Sequence, residues 1–363
     1  MSTIFFTGFP GFLGVQLLPR VLQRSPDDHA LCLVQAKFAD LARRRVDELV
    51  GNDPSLEGRI KLVEGDITLP NLGLDDPAAK AADLSEVWHL AAVYDLSVPR
   101  EIGMRINVDG TRHVLDFAES APGLSRLQYV STCYVSGRYA GIFKESDLDK
   151  GQRFNNFYEE TKFLAEVDVQ ERMKAGLPAT IYRPAIVVGD STTGETQKYD
   201  GPYFALQWLL RQPFRFAVMP VVGDPTAVRL NVVPRDFVVS AIAQLSGDAR
   251  SKDKVYQLAD PNPLTIDELL TVMGEATGKR LIRIPLTKRF AKFAVEKIPG
   301  VYQLLRIPSD AIDYFTHPTF YDTTNTSTDL EGTGVSCPSI ASYLPSLVAF
   351  MKVHPGISAT AMI

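Results

Sequence analysis

Short apolar runs alternate with longer amphipathic stretches through the first half of the chain. Residues 4–7, 31–35, 60–64, 86–90, 126–131 and 179–188 are rich in β-branched and other large apolar side chains and predict strands. Between them, residues 39–50, 106–120 and 158–175 carry apolar positions at helical spacing. This alternation predicts an α/β fold with a doubly wound parallel sheet, helices on both faces and ligands at the strands' carboxyl ends. The pattern breaks near Gly189. Residues 190–202 are polar and contain glycine, whereas 203–219 are dense in large apolar residues. Residues 228–245 and 254–259 predict a helix and a strand returning to the core. After Pro261-Asn262-Pro263, Thr265 and Glu268 form a capping-box pattern that opens a helix to about Ala276. The remainder, to Ile363, carries many prolines and aromatic residues and is expected to be irregular. The expected organisation is a dinucleotide-binding domain over 1–190 plus 226–262, and a smaller, mixed substrate-binding region over 191–225 plus 263–363.

The chain start adds the first chemistry. The 4–7 strand runs into Gly8, Gly11 and Gly14 at three-residue spacing, and an apolar helix-like run follows from Val15 to Leu22. A strand, a glycine turn and a helix make a phosphate cradle, because backbone N–H groups can approach a pyrophosphate at the positive end of the helix. The sheet is therefore expected to be of Rossmann type. The spacing is G-x-x-G-x-x-G, which differs from the G-x-G-x-x-G of most dinucleotide-binding dehydrogenases.

Composition excludes several classes. With 45% hydrophobic residues, 363 residues suffice for a substantial core. A formal net charge of −5 argues against nucleic acid as a partner. Cys32, Cys133 and Cys337 lack metal-ligand spacing and cannot all pair, so no metal is expected. No stretch has the length of a membrane span, and the glycine-containing start lacks the basic region of a secretory signal. A cytoplasmic protein is expected.

Tyr158 and Lys162 lie four residues apart in Tyr-Glu-Glu-Thr-Lys, on one face of a predicted helix. An ammonium beside a phenol lowers its pKa toward the range useful for proton transfer to a carbonyl. Taken alone, such a pair is more often a half-buried aromatic next to a solvated lysine. The order of several segments narrows the reading. Gly8-x-x-Gly11-x-x-Gly14, Gly65-Asp66-Ile67, His89-Leu90-Ala91-Ala92, Asn107-Val108-Asp109-Gly110-Thr111, Ser131-Thr132, Tyr158-x-x-x-Lys162 and Arg183-Pro184 occur in sequence. The set, over about residues 1–260, resembles the extended short-chain dehydrogenases/reductases. Gly11-Phe12-Leu13-Gly14, Leu33-Val34-Gln35-Ala36, Gly65-Asp66-Ile67-Thr68 and Val187-Val188-Gly189-Asp190-Ser191 most resemble the subgroup of fatty-acyl-CoA reductases and thioester-reductase domains, the male-sterility type.

The resemblance implies roles position by position. Tyr158 would be the general acid, Lys162 would hold the nicotinamide ribose and tune Tyr158, and Thr132 would position the substrate carbonyl, with Ser131 the neighbouring alternative. Gly8, Pro10, Gly11, Phe12, Leu13 and Gly14 would hold the pyrophosphate. Asp66 and Ile67 would flank the adenine, and Leu90, Ala91 and Ala92 would line the cofactor channel. Asn107 would support the strand ends, and Pro184, Ile186 and Val187 would lie against the nicotinamide. Cys133 is expected to be a small buried residue and His89 a packing residue.

NAD enzymes usually place an acid at the end of the second strand, on the ribose 2′-OH. That position falls near Gln35, with Lys37 and Arg43 to Arg45 following, and basic groups suit a 2′-phosphate. NADP(H) is favoured on this ground, with Lys37 and Arg45 as contacts. Thioester-reductase relatives commonly carry Arg where Gln35 sits, so NAD(H) stays an alternative.

Tyr203, Phe204, Trp208, Phe214 and Phe216 form a dense apolar set expected to meet an apolar carbonyl substrate, with Tyr203 and Trp208 as contacts. A second set includes Phe290, Phe293, Ile298, Tyr302 and Leu305, interleaved with basic residues suited to a CoA-type phosphate or a membrane surface. Ordinary packing with a solvated basic edge is the alternative. The chain carries no carrier or adenylation module, so a standalone carbonyl reductase is expected, with a homodimer as an open possibility. The alternatives are a nucleotide-sugar epimerase or dehydratase, a hydroxysteroid-type dehydrogenase, and a dinucleotide-sensing scaffold.

Overall fold

The structure, a computed structural model, describes residues 2–297 and 309–358. Seven parallel strands form the main sheet: β1 (Thr3–Thr7), β2 (His29–Val34), β3 (Ile60–Glu64), β4 (Leu84–His89), β5 (Arg126–Val130), β6 (Ala179–Pro184) and β7 (Val255–Leu258). Their spatial order is β7-β6-β5-β4-β1-β2-β3, so the direction of winding reverses beside β1. The expected doubly wound parallel sheet is present.

Alternation along β1 shows why both faces are covered. Ile4 and Phe6 pack with Leu17, Leu18 and Val21 of α1 (Gly14–Leu22), whereas Phe5 points to the opposite layer with Val114, Leu115 and Phe117 of α3 (Gly110–Glu119). On the first face lies α6 (Arg235–Gly247), through Phe237, Val238 and Ile242, and α2 (Ala39–Asn52) adds Ala42. On the second face α3 packs against α4 (Phe157–Lys174). Each strand is sandwiched, which accounts for its continuous apolar character.

The region expected as one strand over 179–188 is two. After Pro184 the chain leaves the sheet, and Ile186–Val188 pairs instead with Val232–Pro234. That second strand occupies the start of the segment expected to be helical, and α6 begins only at Arg235. The capping box at Thr265 and Glu268 is formed, opening α7 (Ile266–Thr277).

The C-terminal part is far more regular than expected. Phe216–Val222 pairs in parallel with Arg280–Leu286, followed by α8 (Lys288–Lys297) and later α9 (Ile340–Val353). Together with α5 (Pro202–Arg211), α7 and α9 build a second apolar core from Tyr203, Leu206, Leu209, Leu269, Met273, Tyr343 and Leu347. Thr319–Tyr321 pairs with Gly141–Phe143 and so joins this region to the loop after β5. Ile298, Tyr302 and Leu305 lie outside the described residues.

Candidate active site

The turn after β1 is held by a backbone bond from Gly11 N–H to Gly8 C=O at 2.9 Å. Gly8 has φ +90, and a Cβ there would stand 2.8 Å from the Ala91 nitrogen. A Cβ at Gly11 or Gly14 would collide with the Gly8 carbonyl at 2.7 or 2.5 Å. The turn is therefore as tight as its three glycines allow, and it lines a cavity of about 440 Å³ along the strand ends. The lining of that cavity, with the glycine turn at one wall, suits a dinucleotide.

The cavity collects nearly all of the expected cofactor contacts. Gly8, Pro10, Gly11, Phe12, Leu13 and Gly14 line one wall, with Gln35, Lys37, Asp66 and Ile67 at one end. Leu90, Ala91, Ala92, Ser131, Thr132, Tyr158, Lys162, Pro184, Ile186 and Val187 line the rest. The Gln35 side-chain amide donates to the Asp66 carboxylate at 2.8 Å, which fixes both side chains.

Four expected contacts lie elsewhere. Arg45 is ion-paired with Glu48 one turn along α2, at 2.6 Å, and does not line the cavity. Asn107 is buried beneath the site: it accepts from Val93 N–H at 2.9 Å and donates to Thr161 Oγ1 at 3.1 Å, tying the segment after β4 to α4. Tyr203 is buried in the second core, its hydroxyl accepting from Gly189 N–H at 2.8 Å. The Trp208 indole N–H donates to Val218 C=O at 2.7 Å, fastening α5 to the neighbouring strand. Arg45, Tyr203 and Trp208 are thus corrected from contacts to structural groups. The polar atoms of Tyr203 and Trp208 are engaged within the fold, by Gly189 N–H and Val218 C=O.

At the centre, Tyr158 is buried, and burial holds its phenol above the ordinary range, with the nearby Thr132 hydroxyl pulling the other way. Lys162 is also buried, and this pushes its ammonium down to about 8 against the opposing pull of Glu166. Its Nζ donates to the Tyr129 hydroxyl and to Val130 C=O, both at 3.0 Å. The sequence pairing of Lys162 with Tyr158 is one of shared helix face, and the ammonium's hydrogen bonds go to β5. Ser131 donates to Glu166 at 2.5 Å. Glu166 in turn forms a fully buried ion pair with Arg183 at 2.6 Å. Thr132, one residue on, donates to Pro184 C=O at 3.4 Å and lines the cavity together with Tyr158.

Cys133 is buried behind Thr132, its thiol directed at the Arg183 carbonyl and pushed up by burial, the opposite of an activated thiolate. His89 is enclosed between Thr7 at 2.8 Å and Thr111 at 3.0 Å, and burial lowers it to about 3, so it stays neutral.

A second cavity, of about 790 Å³, opens on the other side of Tyr158. Tyr94, Tyr134, Tyr158, Ile186, Lys198 and Asp200 line both cavities and form their junction. The Tyr94 ring stands edge-on to Tyr158, with centroids 5.0 Å apart, and Lys198 lies over Tyr94 while pairing with Asp200 at 2.8 Å. Beyond the junction the walls are mainly apolar, from Phe204, Leu230, Ile266, Leu270, Met273 and Phe315. Tyr94, Lys198 and Asp200 received no role from sequence. The signals were Tyr94 just past Ala91-Ala92 and a polar segment that reads as a boundary but folds across the site.

Comparison with known proteins decides the family. The family described as Male sterility protein, an NAD-binding family, matches residues 6–242. The chain belongs to this family. It thereby falls within the extended short-chain reductases, in the thioester-reductase subgroup. The terminal R domain of the myxalamid PKS-NRPS pathway superposes with a TM-score of 0.82 at 30% identity, covering 98% of this chain and 92% of that one. The glycine betaine reductase ATRR of Emericella nidulans is 29% identical over 76% of this chain. This chain spans only 22% of that protein's length. The fatty acyl-CoA reductase wat of Drosophila melanogaster is 26% identical over 69% of this chain and 55% of its own length. Among the described residues no helix is long and apolar enough to cross a membrane.

Proposed function

We propose that this chain is an NADP(H)-dependent reductase acting on the carbonyl of an apolar, lipid-like aldehyde, ketone or acyl thioester. The observation that carries the reading is the meeting of the two cavities at Tyr158, one fitted to a dinucleotide and the other walled by apolar side chains. In this reading the cofactor belongs mainly to residues 1–190 and 226–262, and the substrate mainly to 191–225 and 263–363.

The glycine turn would hold a pyrophosphate, and Lys162, which lines the same cavity, would hold the nicotinamide ribose. A nicotinamide held there would be the source of hydride for the carbonyl carbon. Thr132 orients the carbonyl oxygen by donating to it, and Tyr158 O–H delivers the proton that the oxygen needs as its negative charge develops. Burial keeps the phenol protonated until that moment. With an aldehyde the product is an alcohol. With a thioester the product of this step is a hemithioacetal, whose C–S bond then breaks while its hydroxyl proton passes to the departing thiolate, leaving an aldehyde and a thiol. Lys162 places a positive charge beneath the site, and its depressed pKa limits the alkaline range over which that charge persists.

Lys37 supports NADP(H): it lines the dinucleotide cavity at the Gln35–Asp66 end, where a 2′-phosphate would lie. The apolar wall disfavours a sugar nucleotide, which would need polar partners. The test is consumption of NADPH, with NADH in parallel, against matched long-chain aldehyde and acyl-CoA, with products identified by mass. Turnover of either substrate supports the reading and separates aldehyde from thioester chemistry. Silence on both, with a short polar ketone or sugar nucleotide turned over instead, overturns it.

A further inference from the structure

The strand pair Phe216–Val222 and Arg280–Leu286 has one covered and one open face. Ala217, Met219 and Val221 are buried, and Leu281 packs with the second core. The register sets Phe216 opposite Arg280, Val218 opposite Ile282 and Pro220 opposite Ile284 on the other face. That face is exposed: Phe216 is 58%, Ile282 50% and Ile284 43% accessible. Phe214 before the first strand and Phe290 and Phe293 on α8 are exposed as well. So many large apolar side chains left exposed on consecutive elements are unusual on a surface that meets only water.

Charge indicates what covers it. Residues 202–222 and 279–297 contain nine basic residues and one acid, Glu296, in a chain whose net charge is −5. Some of the nine are committed: Arg283 pairs with Asp267, and Lys288 and Lys292 pair with Asp313. Arg215, Arg280 and Arg289 are exposed at the margin of the apolar face. A twofold contact of this face with a second copy would bring two such basic sets together. An anionic lipid surface satisfies both features at once, since apolar side chains enter the acyl boundary while arginines meet the phosphates.

We propose that this strand pair, with the start of α8, docks the protein on an anionic membrane surface. Its position gives the contact a use. The sheet lies over α5 and α7, bound to them by Trp208 to Val218 C=O and by Arg283 to Asp267 and Thr271. Those helices supply Phe204, Leu270 and Met273 to the second cavity. Docking therefore sets the apolar cavity close to the phase in which a lipid-like carbonyl compound dissolves. The surface itself does not depend on the enzymatic reading, because the test needs neither nucleotide nor substrate.

The experiment is flotation of the intact chain with phosphatidylcholine vesicles, with and without about one-third phosphatidylserine. Binding is expected to the anionic vesicles and to weaken as salt rises. The triple variant R215E/R280E/R289E should bind at least about a hundredfold less tightly. F216S/I282S should lose about tenfold or more. Neither variant touches a cavity, so the melting temperature and the far-UV circular dichroism spectrum report that each is folded. No binding by the unaltered protein, or equal binding by the folded charge variant, overturns the proposal. So does a concentration-dependent dimer that F216S/I282S abolishes, which would assign the face to a second copy. Retention on an immobilised acidic protein without vesicle binding would assign it to a protein partner and overturn it equally.

Discussion

The two cavities that meet at Tyr158 are built in different ways. The dinucleotide cavity is shaped largely by backbone: a glycine turn, the ends of β1, β2, β4 and β5, and the segment after Pro184. The second cavity is shaped by side chains from segments as far apart as Tyr94, Phe204, Met273 and Ile357. A site made from backbone leaves its mark in short local spacings, because glycine and strand ends are local requirements. A site made from distant side chains is specified only by tertiary packing, and is free to vary its shape without altering the fold.

The largest expected effect lies at the junction, which belongs to both. Tyr158→Phe should lower kcat by about a thousandfold, the usual weight of a positioned general acid, with NADPH affinity nearly unchanged. Steady-state kinetics and a fluorescence titration of NADPH separate the two quantities. A change on the substrate side should be selective. Leu270→Trp, which fills part of the second cavity, should cut kcat/KM for a long-chain aldehyde by about tenfold or more. It should leave a two-carbon aldehyde within about twofold by the same argument. Equal losses for both would mean that the chain does not occupy this cavity.

On the cofactor side, Lys37→Ala should weaken NADPH binding by about tenfold, the loss of one charge-assisted contact, and leave NADH almost unaffected. Arg45→Ala should affect neither, since Arg45 is spent on Glu48. Parallel titrations with both nucleotides check this, and equal losses at Lys37 would remove the 2′-phosphate assignment.

The smallest difference between the regions is in acid stability. His89 in the nucleotide half and His317 in the C-terminal region are both buried, and each is lowered to about 3 by desolvation. An unfolded histidine takes up its proton near 6.5, whereas these do so only near 3. The unfolded state therefore binds more protons within that window, and stability is lost as pH falls through it. Melting temperatures measured from about pH 7 to about pH 4 should fall, and replacing either histidine with Gln should flatten part of that slope.

The same contrast explains how much could be read beforehand. The Gly8, Gly11 and Gly14 spacing, the Ser131-Thr132 pair at a strand end, and Tyr158 with Lys162 on one helix face are each satisfied within a few residues. The structure brings them to one cavity. Arg280–Leu286 does not read as a half-buried strand because Ile282 and Ile284, on its open side, are as apolar as Leu281 on its covered side. No polar alternation marks the strand, and its partner lies some sixty residues earlier. Helix α9 was obscured by Pro345 in its interior. Tyr203 and Trp208 show the converse limit. Their side-chain types suit a substrate wall, but only the fold reveals that their polar atoms bind Gly189 and Val218.

The central claim is that hydride and proton arrive at one apolar carbonyl where the two cavities meet. It is tested most directly by single turnover of dodecanal with NADPH deuterated at the transferring position, in the unaltered protein and in Tyr158→Phe. The unaltered protein is expected to give dodecanol carrying one deuterium at its carbinol carbon, and the variant almost none despite bound nucleotide. Undiminished deuterated alcohol from Tyr158→Phe would contradict it.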